Sequence, residues 1–230
     1  MAKSDNEERE QRILDAAAEL FVHYGYDKTT VSDIAREAGV SKGAIYLHFE
    51  SKDDLFEGLL RREMTTYADK WLELIEADPK GGTIGGMYKS TLYALNSSVF
   101  MSAIFKQDGR ILGSYLRKPD TFFRKKGNRP TRYDLVKLMQ EAGAIRQDID
   151  AKVVAHIMDM LAYGLVAMDE IMDREDMPPT DDLLQGIADI MDRALTPDEG
   201  SNSEAGKTAI REIFEAGRQR YEENGSSNQE

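Results

Sequence analysis

Several features are missing from this chain of 230 residues, and each absence excludes a class of protein. The chain has no cysteine, so disulfide bonds and thiolate metal sites are excluded, and a reducing compartment suits it. No apolar run reaches about 18 residues, and the first dozen residues are polar, which argues against a membrane span or a signal peptide. We therefore expect a cytoplasmic protein that does not associate with membranes.

Patterns that would indicate an enzyme or a metal protein are also missing. The glycine-rich stretch 81–86 lacks the Lys-Ser/Thr ending and the preceding strand of a phosphate-binding loop. The acidic cluster at 169–176 has no neighbouring histidine, so a metal site there is the less favoured interpretation. No nucleophile–base pair stands out. We therefore predict that the protein is not an enzyme and holds no cofactor or metal.

Charge is distributed unevenly along the chain, whose net charge is −12. Residues 110–132 contain eight basic residues and one acidic residue. Residues 133–230 contain nine basic and twenty-two acidic residues. Residues 1–62 are also net acidic, with nine basic and thirteen acidic side chains. Any binding to nucleic acid must therefore depend on a few well-placed contacts rather than on a strongly basic surface.

Helical periodicity without strand-like alternation predicts an all-α fold. Apolar residues recur at helical spacing from Arg9 to Tyr24, and Gly25 is a typical helix stop. Thr30 begins a capping pattern, Gly39 provides a corner, and Ser41 caps a further short helix. Two short helices joined by a tight corner are typical of a helix-turn-helix, whose second helix enters the DNA major groove.

The residues around this corner provide candidate DNA contacts. Small residues at the start of the second helix allow close approach to the duplex, where free N–H groups can meet phosphate. Lys42 can reach a phosphate or a guanine edge, Leu47 can touch a thymine methyl, and Tyr46 and His48 are expected to face outward. The predicted DNA-binding residues are Thr30, Ser32, Ser41, Lys42, Gly43, Ala44, Tyr46, Leu47, His48 and Lys52.

Each of these residues also has a simpler interpretation. Thr30 and Ser41 can serve only as helix caps, and lysines alone are usually solvated charges. A lone tyrosine or histidine is more often a surface or hydrogen-bonded residue than a ligand contact. The apolar residues of the same stretch are assigned to the core: Ile34, Ala35, Ile45 and Phe49.

Residues 9–60 resemble the DNA-binding domain of TetR-family transcriptional regulators. The matching pattern includes Ile13 to Ala17, Thr29-Thr30, Ala38 to Gly43, Tyr46 with His48-Phe49, and Ser51 to Leu55. A weaker similarity covers Gly143 to Asp150, which resembles the approach to the first dimerisation helix of that family. The resemblance implies double-stranded DNA, a second copy of the chain and a small-molecule effector as partners.

On this basis the chain divides into regions with different expected roles. Residues 1–8 are expected to be disordered, 9–51 to form the DNA-binding domain, and 52–77 to form a connecting helix. Residues 78–195 are expected to bind ligand and dimerise through helices 151–174 and 181–195, which carry apolar stripes. Residues 196–230 are expected to form a linker, a helix at 207–223 and a flexible tail.

Aromatic and methionine side chains of the C-terminal part are candidates for an apolar ligand pocket. Those chosen are Tyr93, Phe100, Phe105, Phe122, Met158 and Tyr163. Ordinary helical core is the alternative for each of them. The basic cluster at 110–132 indicates either a solvated, mobile surface or a site for an anionic effector such as an acyl thioester of coenzyme A.

The sequence thus predicts a dimeric, sequence-specific DNA-binding regulator. We expect a repressor that a small molecule releases from a palindromic operator. The alternative is a helical small-molecule-binding or interaction protein without operator binding.

Overall fold

The computed structural model describes residues 2–119, 121 and 131–226, and within these ranges the chain is helical without strands. The predicted all-α class is therefore confirmed. The α-helices are α1 (Ala2–Tyr24), α2 (Val31–Glu37), α3 (Lys42–Tyr46), α4 (Lys52–Ala77), α5 (Ile84–Asn96), α6 (Val99–Lys106), α7 (Gly109–Leu112), α8 (Arg132–Glu141), α9 (Ala151–Ala167), α10 (Thr180–Leu195) and α11 (Ser203–Ser226). A 3₁₀ helix, Gly113–Arg117, follows α7 directly. Two further 3₁₀ turns, Met168–Glu170 and Arg174–Asp176, separate α9 from α10. None of the described helices is long and apolar enough to cross a membrane.

Side-chain caps explain where several helices begin. The Thr30 and Thr131 side chains each accept a hydrogen bond from the backbone N–H of the Asp three residues later. The carboxylate of that Asp accepts a hydrogen bond from the backbone N–H of the threonine. Ser41 and Thr83 accept a single such bond at the starts of α3 and α5. Each cap pairs a helix N–H that would otherwise lack a partner within the helix.

Three helix ends differ from the sequence expectation. The start of the chain, predicted to be disordered over 1–8, is helical from Ala2 onward, because no helix-breaking residue interrupts α1 before Tyr24. The helix predicted over 151–174 ends at Ala167, where the acidic residues that follow oppose the negative end of the helix dipole. The last helix begins at Ser203, four residues early, because Asn202 Oδ1 accepts from the Ala205 N–H.

The helices form two compact units that are discontinuous in sequence. The first comprises Met1–Thr66 and Ser98–Lys126, and the second comprises Tyr67–Ser97 and Gly127–Glu230. The long helix α4 is divided between them. Residues 98–126, which the sequence pattern grouped with the ligand-binding part, thus belong to the compact unit that contains α1, α2 and α3.

Each unit has its own apolar core. In the first, Ile13 and Phe21 of α1, Ile34 of α2 and Ile45 of α3 are fully buried with Phe56 of α4. Phe56 contacts Phe21 edge to face at a ring-centroid distance of 4.9 Å. This core fixes α2 and α3 against α1 and α4, so the short helices are supported by packing rather than by their own length.

The second unit is built around α5, which packs against α9 and α10. Tyr88 of α5 is fully buried, and its hydroxyl donates to the carbonyl of Met158 on α9. The Asp192 carboxylate of α10 accepts from the Gly85 N–H at the start of α5, at 2.7 Å. The last helix joins the same unit, since Arg211 pairs with Glu76 at 2.6 Å.

Candidate nucleic-acid interface

The helix α2 begins at Thr30, whose hydroxyl is committed to its capping box. Thr30 Oγ1 accepts from the Asp33 N–H at 3.2 Å and donates to Asp33 Oδ2 at 2.6 Å. These bonds hold the pKa of the Asp33 carboxyl below its ordinary value, first through the Thr30 side chain and then through its backbone N–H. Thr30 remains exposed, as does Ser32 one residue into the helix.

The corner between α2 and α3 depends on Gly39. Its φ of +65° lies in the left-handed region, which glycine adopts without the steric cost of a side chain. The following residue, Val40, returns its N–H to the Ala35 carbonyl at 2.9 Å and closes the end of α2. The predicted corner is therefore present, and it leads directly to the Ser41 cap of α3.

The short helix α3 separates a buried face from an exposed one. Ile45 and Phe49 are 1% and 5% exposed, whereas Tyr46 is 48% and Leu47 is 82% exposed. Lys42 and Gly43 are exposed, Ala44 is half-buried, and the Lys42 Nζ lies 5.9 Å from the centre of the Tyr46 ring. The core positions predicted for Ile34, Ala35, Ile45 and Phe49 are confirmed. The outward orientation predicted for Tyr46 is also confirmed.

His48 does not face outward as predicted. Its side chain is only 4% exposed, with Nδ1 3.5 Å from the Glu10 carboxylate of α1. Its Nε2 is buried and has no hydrogen-bond partner among the described residues. The expectation failed because α3 ends at Tyr46, so helical spacing no longer describes the residues beyond it. His48 therefore links the end of α3 to α1.

Lys52 also has an internal role. Its Nζ donates to the carbonyls of Tyr26 at 2.9 Å and Thr29 at 3.2 Å, and it lies 4.0 Å from the centre of the Tyr26 ring. Burial, the largest influence, lowers the pKa of Lys52 below that of a free lysine. The ammonium thus joins the start of α4 to the turn between α1 and α2.

Sequence reasoning passed over Arg36. Its side chain is 77% exposed on α2, where it lies one turn from Ser32 and pairs with Asp33 at 2.9 Å. An arginine four residues after an exposed serine on α2 is a sequence signal for a further candidate contact. We call the exposed residues Thr30, Ser32, Arg36, Ser41, Lys42, Gly43, Tyr46 and Leu47 the recognition surface.

The described residues among the six chosen for a ligand pocket are divided between the two units. Phe100, which is 3% exposed, and Phe105 belong to the first unit, while Tyr93, Met158 and Tyr163 belong to the second. Phe122 lies outside the described residues. Met158 is core, and Tyr163 is 54% exposed. The exposure of each side chain depends on the helix face on which it lies, and residue type alone does not indicate that face.

The second unit contains a groove of about 580 Å³. Tyr93 lines it together with Leu74, Ala77, Asp78, Lys89, Ser90, Asp181 and Gln185. Lys89 Nζ donates to Gln185 Oε1 at 2.6 Å across this groove. Its charges of both signs differ from the apolar aromatic lining expected from the sequence.

The basic cluster at 110–132 is only partly described. Within the described part, Arg110 pairs with Asp108 at 2.8 Å, Lys118 with Asp53, and Arg132 with Asp159 at 2.5 Å. Its members at 124–126 and 129 lie outside the described residues. Over the described ranges, no group of three or more His, Asp or Glu side chains is placed to hold a metal ion.

Comparisons with known proteins match both the motif and the fold. Residues 13–59 match the family model described as bacterial regulatory proteins, tetR family. A curated relative is the HTH-type transcriptional repressor Rv1474c of Mycobacterium tuberculosis, 29% identical over 164 residues, which cover 69% of this chain and 81% of the relative.

Two solved structures resemble the fold over most of the chain. The regulator FadR of Bacillus subtilis, in complex with stearoyl-CoA, matches with a TM-score of 0.56 at 20% identity, covering 79% of this chain and 96% of FadR. The ketosteroid regulator KstR2 of Mycobacterium tuberculosis matches with a TM-score of 0.55 at 24% identity. The match covers 83% of this chain and 96% of KstR2. At these identities the likeness concerns the fold alone.

The family match spans the capped helices, the Gly39 corner and the first turns of α4, where the recognition surface is built. The curated relative extends the similarity into the second unit. Residues 13–59 thus match the DNA-binding region of the tetR family of bacterial regulatory proteins, and the chain is similar to a transcriptional repressor beyond them.

Proposed function

We propose that this DNA-binding regulator acts as a homodimeric repressor that reads a palindromic operator and is released by a small-molecule effector. One observation carries the DNA-reading part of the proposal. The helix α3 is anchored by Ile45 and Phe49, while Lys42, Tyr46 and Leu47 face solvent on a rigidly supported turn. A short anchored helix with this exposed set fits the major groove.

Roles follow from the chemistry of each exposed residue. Lys42 supplies a cation for a phosphate or a guanine edge, and the Tyr46 hydroxyl is a donor for phosphate. Leu47 offers an apolar contact for a thymine methyl. Ser41, Gly43 and Ala44 are small enough to let the backbone approach the duplex. Thr30, Ser32 and Arg36 of α2 face the phosphate backbone.

His48 and Lys52 are assigned supporting roles instead of DNA contacts. The His48 side chain lies against Glu10, and the Lys52 ammonium donates to two carbonyls of the α1–α2 turn. Both residues hold the recognition surface in place. A protein of net charge −12 gains little from non-specific attraction to DNA, so two precisely spaced copies of this surface are needed.

Exposed apolar side chains on α9 support the second copy. Val153, Ile157, Met160 and Leu161 are between 36% and 62% exposed and recur at helical spacing on one face. On α10, Ile190 is 67% exposed. A contiguous apolar face of this kind is unusual on an isolated surface and typical of an interface. We refer to Val153, Ile157, Met160 and Leu161 as the α9 face.

The effector is proposed to be a small molecule that favours the conformation unable to bind DNA. FadR was solved with stearoyl-CoA, and KstR2 is named for ketosteroids. These proteins supply the first compounds to test: acyl-CoA thioesters, free fatty acids and steroids. A compound that raises the melting temperature and also releases operator DNA meets the proposal.

Selection of bound duplexes from a random pool tests the proposed function. We expect enrichment of an inverted repeat whose half-sites are separated by about one helical turn or a multiple of it. Lys42→Ala and Tyr46→Ala should each weaken operator binding while the protein remains dimeric by light scattering. Enrichment of no sequence, or full binding by both variants, would contradict the proposal. A compound that stabilises a protein without DNA preference would instead support a helical small-molecule-binding protein.

A further inference from the structure

Residues 109–118 of the first unit lie directly against the turn between α1 and α2. We call this stretch, α7 and the 3₁₀ helix after it, the latch segment. The Tyr26 N–H donates to the Ile111 carbonyl at 2.8 Å. At Gly25, with φ of +81°, a Cβ atom would lie 2.3 Å from the Arg110 carbonyl oxygen. The two backbones therefore meet without a side chain between them.

Asp27 of this turn is bound by Ser114 of the latch segment. The Ser114 N–H lies 3.1 Å from both oxygens of the Asp27 carboxylate, and the Ser114 hydroxyl donates to Oδ1. The hydroxyl first, and the N–H second, hold the pKa of Asp27 below its ordinary value. One serine thus bonds the carboxylate through its hydroxyl and its N–H, which fixes its direction as well as its position.

A second connection joins the latch segment to the first turn of α4. Lys118 Nζ donates to Asp53 Oδ2 and, at 3.2 Å, to the Tyr26 hydroxyl, which in turn donates to Asp53 Oδ1. Tyr115 is 1% exposed and donates to Glu57 at 3.0 Å. The ring of Tyr26 lies 5.7 Å from that of Tyr115. Tyr26 is therefore shared between α4 and the latch segment.

The same cluster reaches the recognition surface through Lys52. Its ammonium bonds the carbonyls of Tyr26 and Thr29, and Thr29 directly precedes the Thr30 cap of α2. A displacement of Tyr26 would therefore shift an acceptor of Lys52 and the residue on which α2 begins. The Thr29 hydroxyl is also fixed, since it donates to the Gly25 carbonyl at 2.9 Å.

We propose that Ser114 and Lys118 are positioning residues for operator binding. They hold Asp27, Asp53 and Tyr26 so that the α1–α2 turn presents α2 and α3 in the geometry that DNA requires. The inference rests on the proposed function and extends it to residues that lie far from the recognition surface in sequence. Neither residue itself contacts DNA.

The salt dependence of binding distinguishes positioning from contact. The Lys118 ammonium donates to two internal acceptors, so its loss removes no phosphate contact. A lysine that neutralises a phosphate contributes about 0.9 to the slope of log K against log salt concentration. Loss of a positioning lysine lowers the affinity but leaves the slope unchanged.

The experiment measures operator affinity over a range of salt concentrations, together with amide hydrogen exchange. The variants are Lys118→Met and Ser114→Ala, with Lys118→Arg as the conservative rescue. Lys80→Met, which removes an exposed lysine of the second unit, controls for the change in net charge. We expect about a tenfold loss of affinity in Lys118→Met and Ser114→Ala with an unchanged slope. The amide of Tyr26 should exchange faster in both, while Lys118→Arg and Lys80→Met should resemble the parent.

The possible results separate the two proposals. A slope that falls by about 1.8 in Lys118→Met, about 0.9 for each subunit of the dimer, identifies a direct phosphate contact and overturns the inference. Parental affinity in both Lys118→Met and Ser114→Ala also overturns it. If Lys118→Met does not fold, the affinity of Ser114→Ala tests the positioning role, since that substitution removes only a hydroxyl. A parent that selects no DNA refutes the proposed function itself, and the positioning role falls with it.

Discussion

The recognition surface and the α9 face are both exposed, but they suit different partners. The recognition surface combines Lys42 and Arg36 with small and hydroxyl-bearing residues. The α9 face consists of the exposed apolar side chains of Val153, Ile157, Met160 and Leu161. We propose that the first meets a hydrated, negatively charged duplex and that the second meets the apolar surface of a second copy.

The two surfaces also differ in how they are held. The recognition surface lies on short elements that depend on caps, on His48 and on Lys52 for their position. The α9 face lies on a helix of 17 residues packed against α5 and α8. A perturbation far from α3 can therefore misplace the recognition surface, whereas the α9 face requires a substitution on the helix itself.

Breaking the α9 face should have the largest effect. Ile157→Glu places a charge in the proposed contact, so we expect monomers and a loss of operator affinity of about a hundredfold, since avidity between half-sites is lost. Light scattering and operator binding measure the two effects. Val99→Glu is the control, because it adds the same charge at a 65% exposed apolar position on α6. If the Ile157→Glu protein remains dimeric, the α9 face is not the dimer contact.

On the recognition surface, Lys42→Ala should lower operator affinity less than Ile157→Glu does. We expect about a tenfold loss of affinity, with the slope of log K against log salt falling by about 1.8 if the lysine of each subunit neutralises one phosphate. The dimer should stay intact, in contrast to Ile157→Glu. Lys80→Ala supplies the control for net charge. An unchanged slope with a changed base preference at one position would move Lys42 from phosphate to a guanine edge.

Local cues made α2 and α3 predictable from the sequence. The Thr30 and Ser41 caps, the Gly39 corner and the buried Ile45 all depend on neighbours within a few residues. The same cues predict helix type along most of the chain. The end of α3 was missed because no residue marks it, and His48 was placed by a helical spacing that stops at Tyr46.

Long-range contacts explain the remaining differences. Lys118 and Asp53 are 65 residues apart, and Ser114 and Asp27 are 87 apart. A single sequence shows no pattern that pairs them, and an exposed-looking lysine such as Lys52 gives no sign that two carbonyls will bind it. The burial of Phe100 has a similar cause, because its ring packs 5.9 Å from that of Phe56, 44 residues earlier in the chain.

Acid should weaken the ionic support of the recognition surface. The pKa of Asp27 is lowered by Ser114, and that of Asp53 is lowered because bonds from Lys118 and Tyr26 outweigh the opposing effect of burial. A carboxyl whose pKa falls on folding stabilises the protein above its unfolded pKa, about 3.9, and this contribution disappears as pH falls through the folded value. Urea unfolding midpoints should therefore decline below about pH 4.5.

The substitution Asp27→Asn tests this origin. The midpoint of the variant should be lower at neutral pH and should fall less steeply with acid than that of the parent, because one of the linked carboxyls is gone. Asp69→Asn, an exposed carboxyl of the second unit, should follow the parental curve. Identical curves for all three proteins would show that the Asp27–Ser114 pair contributes nothing to stability.

The smallest effect is expected at Leu47, an apolar side chain on the recognition surface. It is 82% exposed, so Leu47→Ala should leave the free energy of unfolding unchanged. A contact with one thymine methyl is worth about 0.8 kcal/mol, or roughly a fourfold change in affinity. Replacing that thymine with uracil removes the methyl from the DNA side. The parent should then weaken by the same factor, and Leu47→Ala should not respond to uracil at any position. Equal weakening of both proteins would show that Leu47 does not make this contact, and the recognition surface would then be read through its polar residues alone.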